Sequence, residues 1–274
     1  MSIRKWGAAL ALGASVAIGA PSITVGSAQA ASADQVAQAV SAGRTIDLLV
    51  VYTADAAAEQ GGTAGIDQAA RASAQSMNDA LARSGIDGAV NVVHTEQVDY
   101  VESGDQGTDL HWLSGDPAVA SLRNQYHADL VSLVVPGVAG VAYKPSNNFG
   151  TATQDLAFSV VGGQWLVPEA GTGEAGVFAH ELGHNLGADH DWDTSPKRNK
   201  AYPYDHGHVT PNGLVDIMAY NTASSCKPNC RRVPYYSNPN ITVEGEKFGS
   251  IDGKRPSDLA RLFNETIPIV ATYR

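Results

Sequence analysis

The sequence predicts an α/β fold, and three observations carry that reading. Mostly apolar runs of strand length stand at Thr45–Thr53, Val90–Val98 and Leu130–Val135. Segments with apolar residues at helical spacing separate them, giving strand–helix–strand–helix–strand, the pattern of an α/β layer. Pro, Asn, Gly and Tyr then crowd the stretch from Asp191 to Lys254, so the second half is mostly loop. With 43% hydrophobic and 17% charged residues, extended disorder is excluded.

Each element has its own signal. Thr45-Ile-Asp-Leu-Leu-Val-Val-Tyr-Thr53 is apolar and β-branched enough for a buried strand. Ile66, Ala70, Ala74, Met77 and Leu81 line one helical face, and Gly85 closes that helix. Val90–Val98 reads as a second strand. Asp116-Pro117 starts a helix with Val119, Leu122 and Tyr126 on one face. Leu130–Val135 is a third buried strand, stopped by Pro136-Gly137. Val138–Tyr143 and Ala157–Val161 are short strand candidates around a polar loop. Ser257-Asp258 caps a final helix carrying Leu259, Leu262 and Phe263. One domain is expected over 45–274.

The N-terminus has the layout of a secretory signal. Arg4 and Lys5 precede an uncharged apolar stretch from Trp6 to Ala20, and Ala28-Gln29-Ala30 offers a cleavage site, so residues 1–30 read as a signal peptide. The apolar stretch is shorter than the roughly 20 residues of a spanning helix. Residues 31–44, rich in Ala, Ser and Gln, read as a flexible leader without a cysteine. The expectation is a secreted, extracellular monomer with no stable membrane association after signal removal. Export implies an oxidising compartment, so Cys226 and Cys230 are expected to pair. With 18 Lys+Arg against 28 Asp+Glu, a net charge of −10, nucleic acid is a poor partner.

The informative segment is His180-Glu-Leu-Gly-His-Asn-Leu-Gly-Ala-Asp-His-Asp191. His180 and His184 fall about 40° apart on a helix, one turn above the other, so both imidazoles reach one ion. Glu181 sits about 100° around from His180, where it can contact a water without being a ligand. Phe178 and Leu182 take the opposite face and are expected to pack on the sheet. A continued helix would carry His190 about 9 Å past His184, so the chain must bend, and Gly187 stands where a positive φ is needed. Three neutral imidazoles suit a tetrahedral Zn2+ with one open position. The short pattern H-E-x-x-H arises by chance in roughly one chain per hundred, but the long one in only a few per 100,000. The chemistry expected is peptide hydrolysis, with Glu181 as general base.

These residues resemble the metzincin zinc endopeptidases. Asp216-Ile217-Met218-Ala219-Tyr220, with Met218 28 residues after His190, matches that family's methionine turn. The resemblance implies an α/β (α+β) metzincin-like domain: a twisted mixed sheet with backing helices, the active-site helix, then an irregular C-terminal subdomain with the Met-turn. It also implies a C-terminal helix ending in Val270-Ala-Thr-Tyr-Arg274. Asp191 resembles the reprolysin-like branch, where the carboxylate is structural. The Met218–Tyr220 spacing resembles astacins and serralysins, where such a tyrosine helps hold the reacting oxygen. Thr45–Thr53, Pro203-Tyr204 and Cys230-Arg-Arg-Val-Pro-Tyr-Tyr-Ser-Asn-Pro239 make the pattern most similar to bacterial secreted peptidyl-Asp metalloendopeptidases. That implies cleavage of protein or peptide substrates on the amino side of Asp. Lys227, Arg231 and Arg232 follow the Met-turn, and Arg231 or Arg232 is the expected anchor for an acidic substrate side chain.

Weaker candidates remain. His206 and His208 flank Gly207 and read as structural. Asp191 and Asp193, or the Asn238/Asn240 region, offer a weak Ca2+ site without EF-hand spacing. Competing readings are a catalytically silent binding protein with the same fold and a zinc amidase acting on cell-wall peptides.

Overall fold

The computed structural model describes residues 44–137, 139–146, 149–166, 176–226, 230–251 and 253–274. The signal peptide, all of the leader except Arg44, and Lys227 lie outside the described residues.

Five strands form the main sheet: β1 (Thr45–Tyr52), β2 (Ala89–Gln97), β3 (Leu130–Val135), β4 (Gly140–Ala142) and β5 (Phe158–Gly162). Their order is β2-β1-β3-β5-β4, parallel except for β4, which runs antiparallel to β5 at the sheet edge. Six α-helices accompany it among the described residues: α1 (Ala54–Glu59), α2 (Thr63–Arg83), α3 (Gln106–Gly115), α4 (Pro117–Gln125), α5 (Val177–Asn185) and α6 (Leu259–Val270).

The apolar strands are explained by burial on both faces. Ile46, Leu48 and Val50 of β1 pack in one core with Ile66 and Met77 of α2, Phe178 and Leu182 of α5, and Leu262 and Phe263 of α6. Leu49 and Val51 point the other way, to a second core with Leu110 and Leu113 of α3 and Val119 of α4. Phe178 and Leu182 are almost fully buried, as their helical face requires. Truncating either to Ala would cost about 2–5 kcal/mol, so the core side of α5 fixes where its histidines sit.

Several expectations are corrected in detail. β1 ends at Tyr52 because the Thr53 hydroxyl accepts the Ala56 N–H and caps α1, a helix the sequence reading lacked. Helix α3, capped by Asp105, was also missing from it. The last helix stops at Val270 and does not run on to Arg274. The irregular half carries four short strands: β6 (Leu214–Val215) beside β7 (Arg231–Arg232), and the hairpin β8 (Asn238–Val243) with β9 (Glu246–Phe248). No helix of the described residues is long and apolar enough to cross a membrane.

Candidate metal centre

Helix α5 presents His180 and His184 one turn apart, with ring centroids 4.7 Å apart. Gly187 then takes φ +98°, and the N–H groups of Gly187 and Ala188 bond the carbonyls of His184 and Gly183, closing the helix in a left-handed turn. A side chain there would also meet the Phe149 ring at 2.9 Å. The bend brings His190 back. The three Nε2 atoms form a nearly equilateral triangle with sides of 3.1, 3.1 and 3.2 Å. These are the one group of metal-capable side chains gathered among the described residues.

Tautomers follow from the partners. His180 Nδ1 lies 2.8 Å from the Ile217 carbonyl and His184 Nδ1 lies 2.7 Å from the Ala188 carbonyl. A carbonyl only accepts, so both Nδ1 atoms carry the proton and both Nε2 atoms keep a lone pair. Burial lowers all three imidazoles: His180 well below its ordinary value, His184 to about 4, and His190 below its ordinary value. Neutral nitrogens converging this closely repel one another unless a cation lies among them. A tetrahedral ion with bonds of about 2.0–2.1 Å needs nitrogens roughly 3.3 Å apart. The donor set therefore fits Zn2+.

Glu181 is 4% exposed, and burial alone pushes its carboxyl up to about 8. Its carboxylate accepts no hydrogen bond among the described residues.

The Met-turn lies beneath α5. Asp216 Oδ1 accepts from the N–H of Met218 and of Ala219, and Oδ2 accepts from Ser237 N–H. The turn offers the Ile217 carbonyl to His180, and Met218 packs where Gly183 leaves room for its sulfur. Asp191 is buried, accepting from the backbone of Asp193, Thr194 and Tyr220 and from the Thr194 hydroxyl. Asp193 is held by Arg255 and Ser225, and Asn238 by Asn240 and Ser84. His206 stacks on Trp192 and His208 meets Phe248 edge-on; neither joins the triangle.

The other expected residues are separated by the structure. The Tyr220 ring lies 4.6 Å from that of His190, and burial raises its phenol. Arg231 is exposed, with both Glu244 carboxylate oxygens within 2.6 Å of its Nη2. Arg232 points to the other side of β7 and donates to the Ala219 carbonyl at 3.0 Å. Its charge is felt at His180, His190 and Tyr220, and its buried Nε has no partner among the described residues. Cys226 and Cys230 form a disulfide, Cα–Cα 5.2 Å.

Three residues near the centre gave no sequence signal. Lys144 Nζ bridges Asp189 Oδ2 (2.5 Å) and Asp205 Oδ2 (2.9 Å), while Asp189 Oδ1 accepts the His190 N–H. The Tyr236 phenol donates to the Ala179 carbonyl at the start of α5. Gly140 faces Glu181 from β4. All three act across 41 or more residues, beyond any local pattern.

A mixed α/β sheet carrying a helix, a glycine bend and a methionine turn that gather three imidazoles is a metzincin-like construction. The chain belongs to the family described as Metallo-peptidase family M12 (Reprolysin_5), whose model matches residues 42–237. It is similar to proteins named peptidyl-Asp metalloendopeptidase. The one from Pseudomonas aeruginosa is 27% identical, covering 86% of this chain and 41% of that protein. The one from Stenotrophomonas maltophilia K279a is 30% identical, covering 84% of this chain and 53% of that protein. The chain thus spans about half the length of these curated relatives. The solved "Structure of a chaperone-substrate complex" shares the fold, with a TM-score of 0.62 and 18% identity over 84% of this chain and 39% of that one.

Proposed function

We propose that the protein is a secreted zinc-dependent endopeptidase that cuts protein or peptide substrates on the amino side of Asp. The observation that carries this reading is the 3.1–3.2 Å triangle of His180, His184 and His190 Nε2 atoms, with Glu181 beside it on the same helix. Those nitrogens would hold one Zn2+, which when bound supplies Lewis acidity to a scissile carbonyl and to water. With a cation bound at the histidines favouring its ionised form, Glu181 would take a proton from the attacking water on a carboxylate oxygen and return it to the leaving nitrogen. Tyr220, half exposed over His190, steadies the oxygen on which charge develops. β4 is an edge strand of the sheet among the described residues, and its face meets α5 at Gly140, which suits an extended peptide added along the free edge.

Arg232 rather than Arg231 is the group assigned to the substrate carboxylate. Arg231 is already occupied by Glu244, whereas Arg232 keeps an unpartnered Nε near the histidines. A guanidinium edge can grip a carboxylate by two parallel hydrogen bonds. The names of the relatives support the preference for Asp. The disulfide and the signal-like N-terminus support export.

The test is mass spectrometry of products from a peptide library, with metal content measured on the same sample. One zinc per chain, chelator-sensitive cleavage before Asp, and a Glu181→Ala protein that keeps zinc but loses turnover are expected. Near-normal turnover by Glu181→Ala, or cleavage indifferent to chelator, would refute the reading.

A further inference from the structure

We infer that Gly140 is the positioning residue for Glu181: the bare Cα of this edge-strand glycine is the seat that sets where the carboxylate lies on the histidine-bearing helix. The inference rests on the reading of Glu181 as the base.

A Cβ at position 140 would lie 2.7 Å from Glu181 Oε1, 2.7 Å from Glu181 Cγ and 2.6 Å from Val177 Cγ1. Carbon atoms do not approach side chains so closely, so something would have to move. The φ of Gly140 is outside the left-handed region, so backbone conformation does not call for glycine here; the space does.

The strand cannot retreat. Gly140 pairs with Val161, and Gly162 N–H bonds the Ala139 carbonyl at 2.8 Å. The helix cannot retreat either. Phe178 and Leu182 anchor it in the core, and Tyr236 holds the Ala179 carbonyl. Val177 and Glu181, four residues apart, present one face of α5 to the glycine. What remain free to yield are the side chains of Val177 and Glu181, and a β-branched valine is held to one rotamer in a helix, so the unbranched Glu181 gives more readily. Its carboxylate accepts no hydrogen bond among the described residues, so packing against Gly140 sets its direction. A displacement of about 1 Å in a reacting group can cost about 100-fold in rate.

The experiment combines Gly140→Ala with Glu181→Ala in a double-mutant cycle, reading kcat, KM, zinc content and Tm. Gly140→Ala alone is expected to lose about 10- to 100-fold in kcat, with KM within about twofold and zinc retained. Its Tm should fall by roughly 5 °C from overpacking. In the Glu181→Ala background the same substitution should cost less than about half that shift, because two of the three overlapping atoms are gone. Wild-type kcat in Gly140→Ala, a kcat loss matched by loss of zinc, or an equal Tm penalty in both backgrounds would overturn the inference. A wild-type protein that cut no peptide would defeat the endopeptidase reading instead, and the Tm cycle would still decide whether Gly140 seats Glu181.

Discussion

His180 and Ile217, 37 residues apart, are joined by a 2.8 Å hydrogen bond from the imidazole Nδ1–H to the backbone carbonyl. The bond fixes the tautomer, so Nε2 faces the centre with its lone pair. The carbonyl is itself held by the turn that Asp216 organises. Replacing Asp216 with Asn swaps one acceptor oxygen for an N–H2 group that faces backbone donors. Zinc affinity is expected to fall about 10- to 100-fold, the usual cost of losing an outer partner of a metal ligand. Competition with a coloured chelator measures it, and unchanged affinity would show that the turn holds without the carboxylate.

Arg231 and Arg232 make opposite predictions although they are neighbours. Arg232→Met should abolish the preference for Asp while cleavage elsewhere persists, with a loss of at least about tenfold in kcat/KM for Asp-containing peptides. Arg231→Met removes an exposed ion pair with Glu244 and should leave the product pattern unchanged. Sequencing the products of both variants checks this. Unaltered Asp preference in Arg232→Met would send the search for the specificity group elsewhere.

Asp129 gives the stability a pH dependence. Its carboxylate accepts from the N–H of Asp47 and of Arg274, yet burial pushes it up to about 6. A carboxyl raised above its unfolded value favours the fold when protonated. Its contribution is therefore full below about pH 4 and lost as pH rises through about 6. The stability lost in Asp129→Asn, relative to wild type, should be largest near pH 4 and shrink by about pH 6.5. Urea midpoints of both proteins, run in parallel so that other titrations cancel, test the sign.

The Cys226–Cys230 disulfide closes a five-residue loop just before β7. Chain entropy alone assigns it about 2 kcal/mol, or roughly 4–8 °C in Tm for a domain of this size. Thermal melts of wild type and a Cys226→Ser/Cys230→Ser protein read this directly. A shift under about 1 °C would mean that the surrounding packing holds the loop unaided.

The histidine centre was legible because its information is local. Helical spacing placed His180 and His184, and one glycine between them and His190 announced the bend. β3 was legible because both its faces are buried and Pro136-Gly137 ends it. Helix α1 was not, since six residues leave no period to read. Helix α3 hid because its buried stripe of Asp109, Leu110 and Leu113 contains a carboxylate, there to receive Tyr100 and Ser103. The β8–β9 hairpin turns on Glu244 and Gly245, both at positive φ. Glu is an unusual residue at that place, where Asn or Asp gives the turn away. That Arg231 pairs with Glu244 while Arg232 turns to Ala219 needed the strand, because adjacent side chains leave opposite faces.

The three histidines are not tethered in one way: two are held by their imidazoles and one by its backbone. The imidazoles of His180 and His184 hang on backbone carbonyls, which dissolved ions do not screen. His190 is held instead by its backbone N–H, which donates to Asp189, and Asp189 pairs with the ammonium of Lys144, a group 20% exposed. Ionic attraction of that sort weakens as salt shortens the Debye length. In concentrated brine the backbone that carries His190 would be the first part of the site to loosen, with the two helical rings still held by carbonyls.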